Sequence, residues 1–291
     1  MKVQLLYHYC STETFFNIVK SSHIWLCNLF ESNDYLERKW IDPMIHDVLN
    51  TLLKDHEGDN AAKTFKASVI NYYELNRNIN CYFTSFSEEG DMLSQWRGYA
   101  DNGHGFAIGF DLECLGLPRQ IPSMGSRPQL VVGLFRMIYD LDEIRRSIHA
   151  FILKCWEKFK ADGFAENSTA MIECATMLVK VASAAKNYCF AEEKEWRILY
   201  TPVPGIISNL QDTKLATELS VDSRHQKYCV RDRALISSYF DLNVSSVGDK
   251  MPIRVAMLGP KNLSSSKTVE RLLAESGYRD VQVRRSAASY R

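Results

Sequence analysis

The most informative segment of the sequence for the fold and the site reads Ala191-Glu192-Glu193-Lys194-Glu195-Trp196-Arg197-Ile198-Leu199-Tyr200. Its second half is rich in residues that favour strands, so we expect an extended conformation. Side chains alternate between the two faces of a strand, which places Glu193, Glu195 and Arg197 on one face. Two carboxylates beside a guanidinium could hold a ribose or stabilise a developing positive charge. The structural alternative is a solvated strand end with an internal ion pair.

The bulk composition is that of an ordinary globular protein. The 291 residues are 46% hydrophobic and 24% charged, which is enough apolar material for a large core. The 35 basic and 35 acidic side chains cancel, so no net field attracts nucleic acid. The first residues show no signal-peptide pattern, and no stretch approaches the roughly 18–20 apolar residues of a membrane span. We therefore expect a cytoplasmic protein with no membrane partner.

The eight cysteines are scattered singly along the chain, without a Cys-x-x-Cys pair. Structural zinc sites and thioredoxin-like redox sites use such pairs, so neither is expected. Buried free thiols in a reducing cytosol are the simpler interpretation. No metal cofactor is predicted.

Strand and helix patterns alternate on both sides of the acidic segment. Strands are predicted at residues 3–9, 23–28, 80–87, 106–110, 131–139, 195–201, 226–240, 252–258 and 280–285. Helical patterns occupy about 35–77, interrupted near Gly58, and 141–186, interrupted near Gly163. Shorter helices are expected after Thr12 as N-cap, over 91–100 and over about 264–276. The prediction is one α+β domain, residues 1–291, with a central mixed or antiparallel sheet and the two long helical segments inserted around it.

Two predicted strands carry polar groups among aromatic rings. His8 lies between Tyr7 and Tyr9 on the first strand, so it faces away from both rings. A histidine in such a place is more often a hydrogen-bonded structural residue than a ligand-binding one. Ser85 and Ser87 share one face of an aromatic strand, where their hydroxyls could brace a neighbouring strand or orient a carboxylate.

A predicted helix carries a third polar and aromatic cluster. Trp96 and Tyr99 are three positions apart, with Arg97 between them. Two rings on one helix face could form a platform for a flat heterocycle, with Arg97 near a phosphate. The structural alternative is that both rings pack in the core. The Gly103-x-Gly105 that follows is too short for a dinucleotide fingerprint and precedes a strand, so no Rossmann motif is predicted.

Several short motifs are spread over nearly the whole chain. They are Tyr7-His8-Tyr9, Asn33-Asp34-x-x-Glu37, Trp96-x-x-Tyr99, Gly103-x-Gly105, Glu193-x-Glu195-Trp196-Arg197, Leu258-Gly259-Pro260 and Ser286-x-x-x-Tyr290-Arg291. Each motif is weak alone, but the combination resembles a widespread bacterial family that is catalogued as a domain of unknown function and found among phage-defence genes. This resemblance by itself implies little chemistry.

The order of three motifs is also similar to that of the ADP-ribosyltransferase superfamily. In that superfamily a His or Arg lies on the first strand, a Ser-Thr-Ser-like or Tyr-bearing strand lies mid-chain, and a Glu or Glu-x-Glu lies on a late strand. His8, Thr84-Ser85-Phe86-Ser87 (or Tyr99) and Glu193-x-Glu195 occupy those places here. The middle strand departs from Ser-Thr-Ser, and the spacing after His8 is wide. The resemblance implies an ADP-ribosyltransferase-like fold and NAD as substrate.

This resemblance also implies roles for particular residues. Glu195 would be the catalytic carboxylate that stabilises an oxocarbenium-like ribose, and Glu193 would activate or select the acceptor. His8 would complete the catalytic set by contacting the nucleotide, so we expect His8 and Glu195 in one cleft on neighbouring strands. The residues implied in nucleotide binding are His8, Tyr9, Ser85, Ser87, Trp96, Arg97, Tyr99 and Arg197.

The implied protein is an effector or toxin of anti-phage defence that modifies a macromolecule. The acceptor would be RNA, DNA or protein, and an antitoxin or another defence-system protein is an expected partner. Two alternatives stay open. A Mg²⁺-dependent nuclease would use Asp34, Glu37, Glu193 and Glu195 as ligands, because carboxylate oxygens suit that ion. A non-catalytic nucleotide-binding sensor would instead tolerate the loss of the Glu195 charge.

Overall fold

The chain forms a large mixed β-sheet flanked by helices, which confirms the predicted α+β class. The computed structural model describes residues 5–31, 39–54, 58–77, 81–111, 114, 119–120, 132–165, 168–200, 226–231, 235–245 and 251–290. The strands are β1 (Leu6–Cys10), β2 (His23–Asn28), β3 (Tyr82–Ser87), β4 (Phe106–Phe110), β5 (Arg119–Gln120), β6 (Val132–Arg136), β7 (Glu195–Tyr200), β8 (Lys227–Arg231), β9 (Leu235–Asn243), β10 (Ile253–Leu258) and β11 (Gln282–Arg285).

The helices begin and end close to the predicted boundaries. They are α1 (Thr12–Ser21), α2 (Asp42–Leu52), α3 (Asn60–Arg77), α4 (Leu93–Tyr99), α5 (Leu141–Ala161), α6 (Ala170–Ala184) and α7 (Ser266–Glu275). The predicted N-cap of α1 is wrong by one residue, because Ser11 has the extended backbone and accepts the hydrogen bond from the Thr14 amide. None of the helices in the described ranges has both the length and the apolar character needed to cross a membrane.

The strands follow the order β11-β10-β4-β1-β3-β2-β9-β8, and β3 also pairs with β7, which continues to β6 and β5. Two of these pairs, β10 with β11 and β5 with β6, are parallel, and the other pairs in this description are antiparallel. β1 and β7 are therefore not neighbours. The expectation that they pair is wrong, because β3 lies between them.

Strand β3 is shared by two parts of the sheet that diverge. β7 pairs with one edge of β3 along its whole length, from Tyr82 to Ser87. On the other edge, β1 pairs with Ser87, and β2 pairs with Tyr82 and Phe83. Among the described strands, none pairs with this edge at Ser85, because β1 and β2 separate there. The sheet is consequently split beside the middle of β3.

Three apolar layers hold these elements in place. Helices α1 and α7 bury Phe15, Val269 and Leu273 against one face of the sheet, where Phe15 stacks on Phe106 with ring centroids 3.9 Å apart. Helices α2, α3, α5 and α6 form a separate layer with its own core. Helix α4 lies on the opposite face from α1 and packs Trp96 into a smaller cluster. The split in the sheet therefore has helices on both of its sides.

Candidate active site

A cavity of about 820 Å³ lies at the split in the sheet. Its walls come from both faces: Asn17 and Ser21 of α1 on one side, and Tyr99 of α4 on the other. The middle of β3 and the start of β7 line it between these helices. Of the ten site residues predicted from the sequence, the cavity is lined by His8, Tyr9, Ser85, Tyr99, Glu193, Glu195 and Arg197.

The acidic segment is helical up to Glu193 and extended from Glu195 onward. Residues Tyr188–Glu193 form a 3₁₀ helix, and Lys194 follows with a left-handed backbone (φ 44°) before β7 begins at Glu195. The prediction that Glu193 continues the strand is therefore wrong. The turn at Lys194 nevertheless brings both carboxylates to the cavity, while the Lys194 side chain itself is exposed and pairs with Glu89.

Glu195 is a buried carboxylate with four hydrogen-bond donors. Its Oε1 accepts from Ser85 Oγ at 2.5 Å and from Arg197 Nε at 2.6 Å. Its Oε2 accepts from Lys186 Nζ at 2.7 Å and from Arg197 Nη2 at 3.1 Å. Burial by itself favours the neutral acid, but the two cations outweigh it and hold the pKa of Glu195 at about 2. At neutral pH the Glu195 carboxylate is therefore ionised, and its hydrogen bonds hold it in one orientation.

Glu193 is joined to Glu195 by a shared lysine. Lys186 Nζ donates to Glu193 Oε2 at 2.5 Å as well as to Glu195, and the Tyr99 hydroxyl donates to Glu193 Oε1 at 3.0 Å. Among the described residues, each Glu193 oxygen accepts one side-chain hydrogen bond, and a carboxylate oxygen has room for about two. Each Glu193 oxygen can therefore accept one more hydrogen bond, whereas each Glu195 oxygen already accepts two.

Lys186 is the residue of this cluster that the sequence analysis missed. It follows the end of α6, where its amide donates to the Ile138 carbonyl oxygen at 2.9 Å and fixes the chain beside β6. The side chain is almost wholly buried, and burial lowers its pKa, but Glu195 and Glu193 more than reverse this effect and raise it. The sequence does show a lysine seven and nine positions before the two glutamates. Neither helical nor strand periodicity predicts a contact at these spacings, so the signal could not be recognised.

Ser85 connects the acidic cluster to His8. Its hydroxyl donates to Glu195, and its backbone carbonyl oxygen lies 2.9 Å from His8 Nδ1. A carbonyl oxygen only accepts, so His8 carries its proton on Nδ1 in this contact. Burial lowers the pKa of His8, which keeps the imidazole neutral at pH 7 and leaves Nε2 as an acceptor. No strand in the described ranges pairs with this edge of β3 at Ser85, which leaves the carbonyl accessible to the ring.

The split also explains how residues from opposite faces line one cavity. Residues directly opposite in an antiparallel pair share a face, so Ser85 shares a face with Arg197, and Tyr7 shares that face through Ser87. His8 lies on the other face, where its ring contacts Phe86 with centroids 5.7 Å apart. His8 and Glu195 therefore lie in one cleft, as expected, but they meet it from the two sides of β3.

Ser87 is not among the residues that line the cavity. It is 2% exposed, and its hydroxyl donates to the Glu193 backbone carbonyl oxygen at 2.7 Å. Ser87 therefore stabilises the turn that directs the Glu193 side chain into the cavity. Tyr139 plays a similar part for Glu195, because its hydroxyl accepts from the Glu195 amide at 2.9 Å.

The predicted ring platform is divided between the core and the cavity. Trp96 is 0% exposed, contacts Tyr9 edge-on at 4.9 Å and donates from Nε1 to Asp91. Tyr99 is 50% exposed and lines the cavity. The prediction that both rings form one binding platform is wrong, since the short helix turns Trp96 inward and leaves Tyr99 at the rim.

Two other predicted binding residues have different surroundings from those expected. Arg97 points to the far side of α4, where its guanidinium lies 4.6 Å from the centre of the Tyr290 ring, so it is not a cavity residue. Tyr9 lines the cavity but is 6% exposed, and its hydroxyl donates to the Glu89 carbonyl oxygen and accepts from the Met92 amide.

Only two of the four carboxylates proposed for a metal site are among the described residues. Asp34 and Glu37 lie outside the described residues. Within the described part of the chain, no group of three or more His, Cys, Asp or Glu side chains is arranged to hold a metal ion. Glu193 and Glu195 bind cationic side chains instead.

Comparison with known proteins finds one family model that matches part of the chain. No curated protein and no solved structure matches the sequence. The segment from α4 to β7 contains Tyr99, Lys186, Glu193, Glu195 and Arg197 but neither β1 nor β3. Over this segment, residues 95–198, the chain matches the family described as "Protein of unknown function (DUF2971)", which supports the relationship to a domain-of-unknown-function family that the sequence motifs predicted.

Proposed function

We propose that this protein is an NAD-dependent ADP-ribosyltransferase-like enzyme, an effector or toxin of anti-phage defence that acts in the cytoplasm. It breaks the bond between nicotinamide and ribose and transfers ADP-ribose to a macromolecule. The observation that carries the proposal is the row formed by His8, Ser85 and Glu195 across the split sheet, with Glu193 and Tyr99 beside it. This is the set of residue types that the motif order led us to expect, brought to one cavity.

The size and lining of the cavity support a nucleotide ligand. Ligand pockets commonly enclose roughly 300–1,000 Å³, and this cavity of about 820 Å³ is in that range. Phe83, Tyr99 and Phe190 supply aromatic surface for flat rings. The neutral His8 offers Nε2 as an acceptor for a ribose hydroxyl.

Glu195 provides a preorganised negative charge for the proposed reaction. When the bond between the nicotinamide nitrogen and C1′ of the ribose breaks, its electron pair leaves with nicotinamide and the ribose becomes oxocarbenium-like. A carboxylate with a pKa of about 2 stays ionised through this step, so it stabilises charge without exchanging a proton. Ser85 and Arg197 fix its orientation, which lowers the reorganisation needed at the barrier.

Glu193 is suited to the second half of the reaction. The nucleophile of the acceptor forms a new bond to C1′ and releases its proton, which Glu193 accepts. Its oxygens keep room for a hydrogen bond from the acceptor, as described above. The four charges of Glu193, Glu195, Lys186 and Arg197 cancel, so the proposal relies on the orientation of the carboxylates rather than on a net field.

The test is the release of free nicotinamide from NAD, with and without bacterial lysate as the source of acceptor. We expect Glu195→Gln to reduce turnover by about 10²–10³ with little change in nucleotide affinity, because the charge acts at the barrier. The matched control is Glu192→Gln, an exposed glutamate of the same segment, which should keep full turnover.

Three outcomes would contradict the proposal. Wild-type protein that releases no nicotinamide in either condition is not an NAD-cleaving enzyme. Nucleic-acid cleavage that EDTA abolishes would instead indicate the Mg²⁺-dependent nuclease. Nucleotide binding without turnover, retained in Glu195→Gln, would indicate the sensor.

A further inference from the structure

The segment Ser286–Tyr290 lies against helix α4 on the side away from the cavity. The Tyr290 ring is contacted by two cations, with Arg97 of α4 at 4.6 Å and Lys261 at 3.9 Å from the ring centre. Its hydroxyl donates to Asn102 Oδ1 at 2.7 Å. One aromatic residue thus joins the last turn of α4 to the loop after β10.

Asp91 forms a second connection between the same two parts of the chain. Its Oδ1 accepts from Ser286 Oγ at 2.5 Å and from Trp96 Nε1 at 2.7 Å. Its Oδ2 accepts from the Ala287 amide at 2.7 Å. Because Trp96 is the buried anchor of α4, the carboxylate links the anchor of the helix directly to residues 286 and 287.

The backbone segments behind these contacts pack closely. A Cβ on Gly105 would lie 2.0 Å from the Cys10 carbonyl oxygen, and a Cβ on Gly259 would lie 2.3 Å from the Gly103 carbonyl oxygen. Gly103 has a φ of +89°, and a Cβ on it would lie 3.5 Å from the Tyr290 ring. The Gly103-x-Gly105, Leu258-Gly259-Pro260 and Ser286-x-x-x-Tyr290 motifs are therefore close together in the structure.

Helix α4 needs such external contacts. It has seven residues, no side-chain N-cap and a glycine at position 98, and helices of this length are not stable alone. Its last residue, Tyr99, carries the hydroxyl that binds Glu193. The position of that hydroxyl is therefore set by whatever holds the helix.

We propose that the segment Ser286–Tyr290 is a strap that positions α4 and, through it, the Tyr99 hydroxyl against Glu193. Tyr290 and Ser286 are positioning residues, since neither is among the residues that line the cavity. The effect of the strap on turnover rests on the proposed function, whereas its effect on α4 does not.

The first experiment measures hydrogen exchange of the amides of residues 93–99. Tyr290→Ala removes both cation contacts, which should speed exchange in α4 by at least about threefold while exchange in α6 stays as in the wild type. Tyr290→Phe keeps the ring and loses only the hydroxyl, so it should restore most of the protection. The matched control is Ser289→Ala, at an exposed position of the same segment.

The second experiment measures nicotinamide release in a double-mutant cycle. Tyr290→Ala should lower kcat several-fold, Tyr290→Phe should restore it, and Tyr290→Ala should have no further effect in a Tyr99→Phe background. Additive losses would show that the segment does not act through Tyr99. Unchanged exchange in α4, or equal acceleration in α4 and α6, would overturn the strap itself. Since exchange needs no substrate, failure of the proposed NAD chemistry leaves this result standing.

Discussion

The Tyr99 hydroxyl donates a 3.0 Å hydrogen bond to Oε1 of Glu193, although 94 positions separate the two residues in the sequence. Burial and then the Glu193 charge raise the pKa of Tyr99, so the phenol stays protonated and acts as a donor at neutral pH. The bond is a charge-assisted contact at the rim of the cavity. It links helix α4 to the acidic segment.

Tyr99→Phe tests this contact with the ring retained. Hydrogen bonds to charged groups contribute about 1.5–3 kcal/mol, so turnover should fall by about tenfold or more if Glu193 needs the donor. The free energy of unfolding should fall by no more than about 1.5–3 kcal/mol, because this variant loses the same bond but keeps the ring. Tyr188→Phe, at an exposed tyrosine of the neighbouring 3₁₀ helix, is the control and should match the wild type in nicotinamide release. Equal turnover in the two variants would remove Tyr99 from the mechanism.

The stability of the protein should fall in acid through Glu195. Its pKa is about 2 in the folded protein and near 4.5 without the fold, so the unfolded chain takes up the proton first as the pH falls. The stabilisation is complete above about pH 4.5, has an order of magnitude of about 3 kcal/mol, and is lost as the pH falls toward 2. Urea unfolding at pH 7, 4 and 3 measures this loss. Glu195→Gln should show a smaller loss over the same interval, and an identical pH dependence would contradict the assignment.

Removal of Lys186 should destabilise the fold more than any single surface charge. Lys186→Met leaves Glu193 and Glu195 close together and buried without their shared cation, which should cost about 3–5 kcal/mol in denaturant unfolding. Combining it with Glu193→Gln should recover part of the loss, since one uncompensated charge is removed. Lys194→Met breaks an exposed ion pair of the same segment and should change stability little.

Trp96 and Tyr99 should respond differently to truncation. Trp96→Ala opens a cavity in the core and should cost about 3–5 kcal/mol of stability. Because Trp96 anchors α4, kcat should fall as well, while substrate KM stays unchanged in the folded fraction. Tyr99→Ala should cost less stability and reduce turnover. Thermal unfolding combined with steady-state kinetics separates the two effects. A Trp96→Ala variant that is stable but fails to bind nucleotide would restore the ring-platform hypothesis.

Two glycines near α4 should change stability in opposite directions when each is replaced by alanine. Gly105→Ala would force a Cβ against the Cys10 carbonyl oxygen, and overpacking of this kind costs about 1–3 kcal/mol or more. Gly98→Ala meets open space within a helix and should stabilise the protein by about 0.5–1 kcal/mol. Urea unfolding midpoints would measure both. A neutral Gly105→Ala would mean that β1 moves easily away from the turn.

The sequence was sufficient for those parts of the site that depend on local periodicity. Alternation along β7 predicted that Glu195 and Arg197 share a face, and the two side chains form an ion pair there. Alternation also placed Ser85 and Ser87 on one face of β3, and Ser85 lies opposite Arg197 in the register. These relationships follow from a repeat of two residues, which a sequence displays directly.

Other parts of the site depend on where the chain turns. Lys186 reaches both carboxylates because the chain leaves α6 and is held at Ile138, a path that no local pattern specifies. Residues three apart on a helix are offset by about 60° around its axis, and on a short helix at the edge of a cavity this offset separates a buried Trp96 from a half-exposed Tyr99. The split beside β3 depends on two strands that pair with it at opposite ends, which their separate patterns do not reveal.

The sharing of β3 between β1 and β7 also has a kinetic consequence. The contacts that assemble the site join residues 77 positions apart between His8 and Ser85, and 110 positions apart between Ser85 and Glu195. Chains rich in such distant contacts fold slowly, because loop closure precedes the gain in contact energy. The site is therefore completed late in folding, and a fragment limited to residues 95–198 would contain the acidic cluster without the strand that orients it. During synthesis, this order of assembly delays completion of the site until the chain has been extended past Glu195.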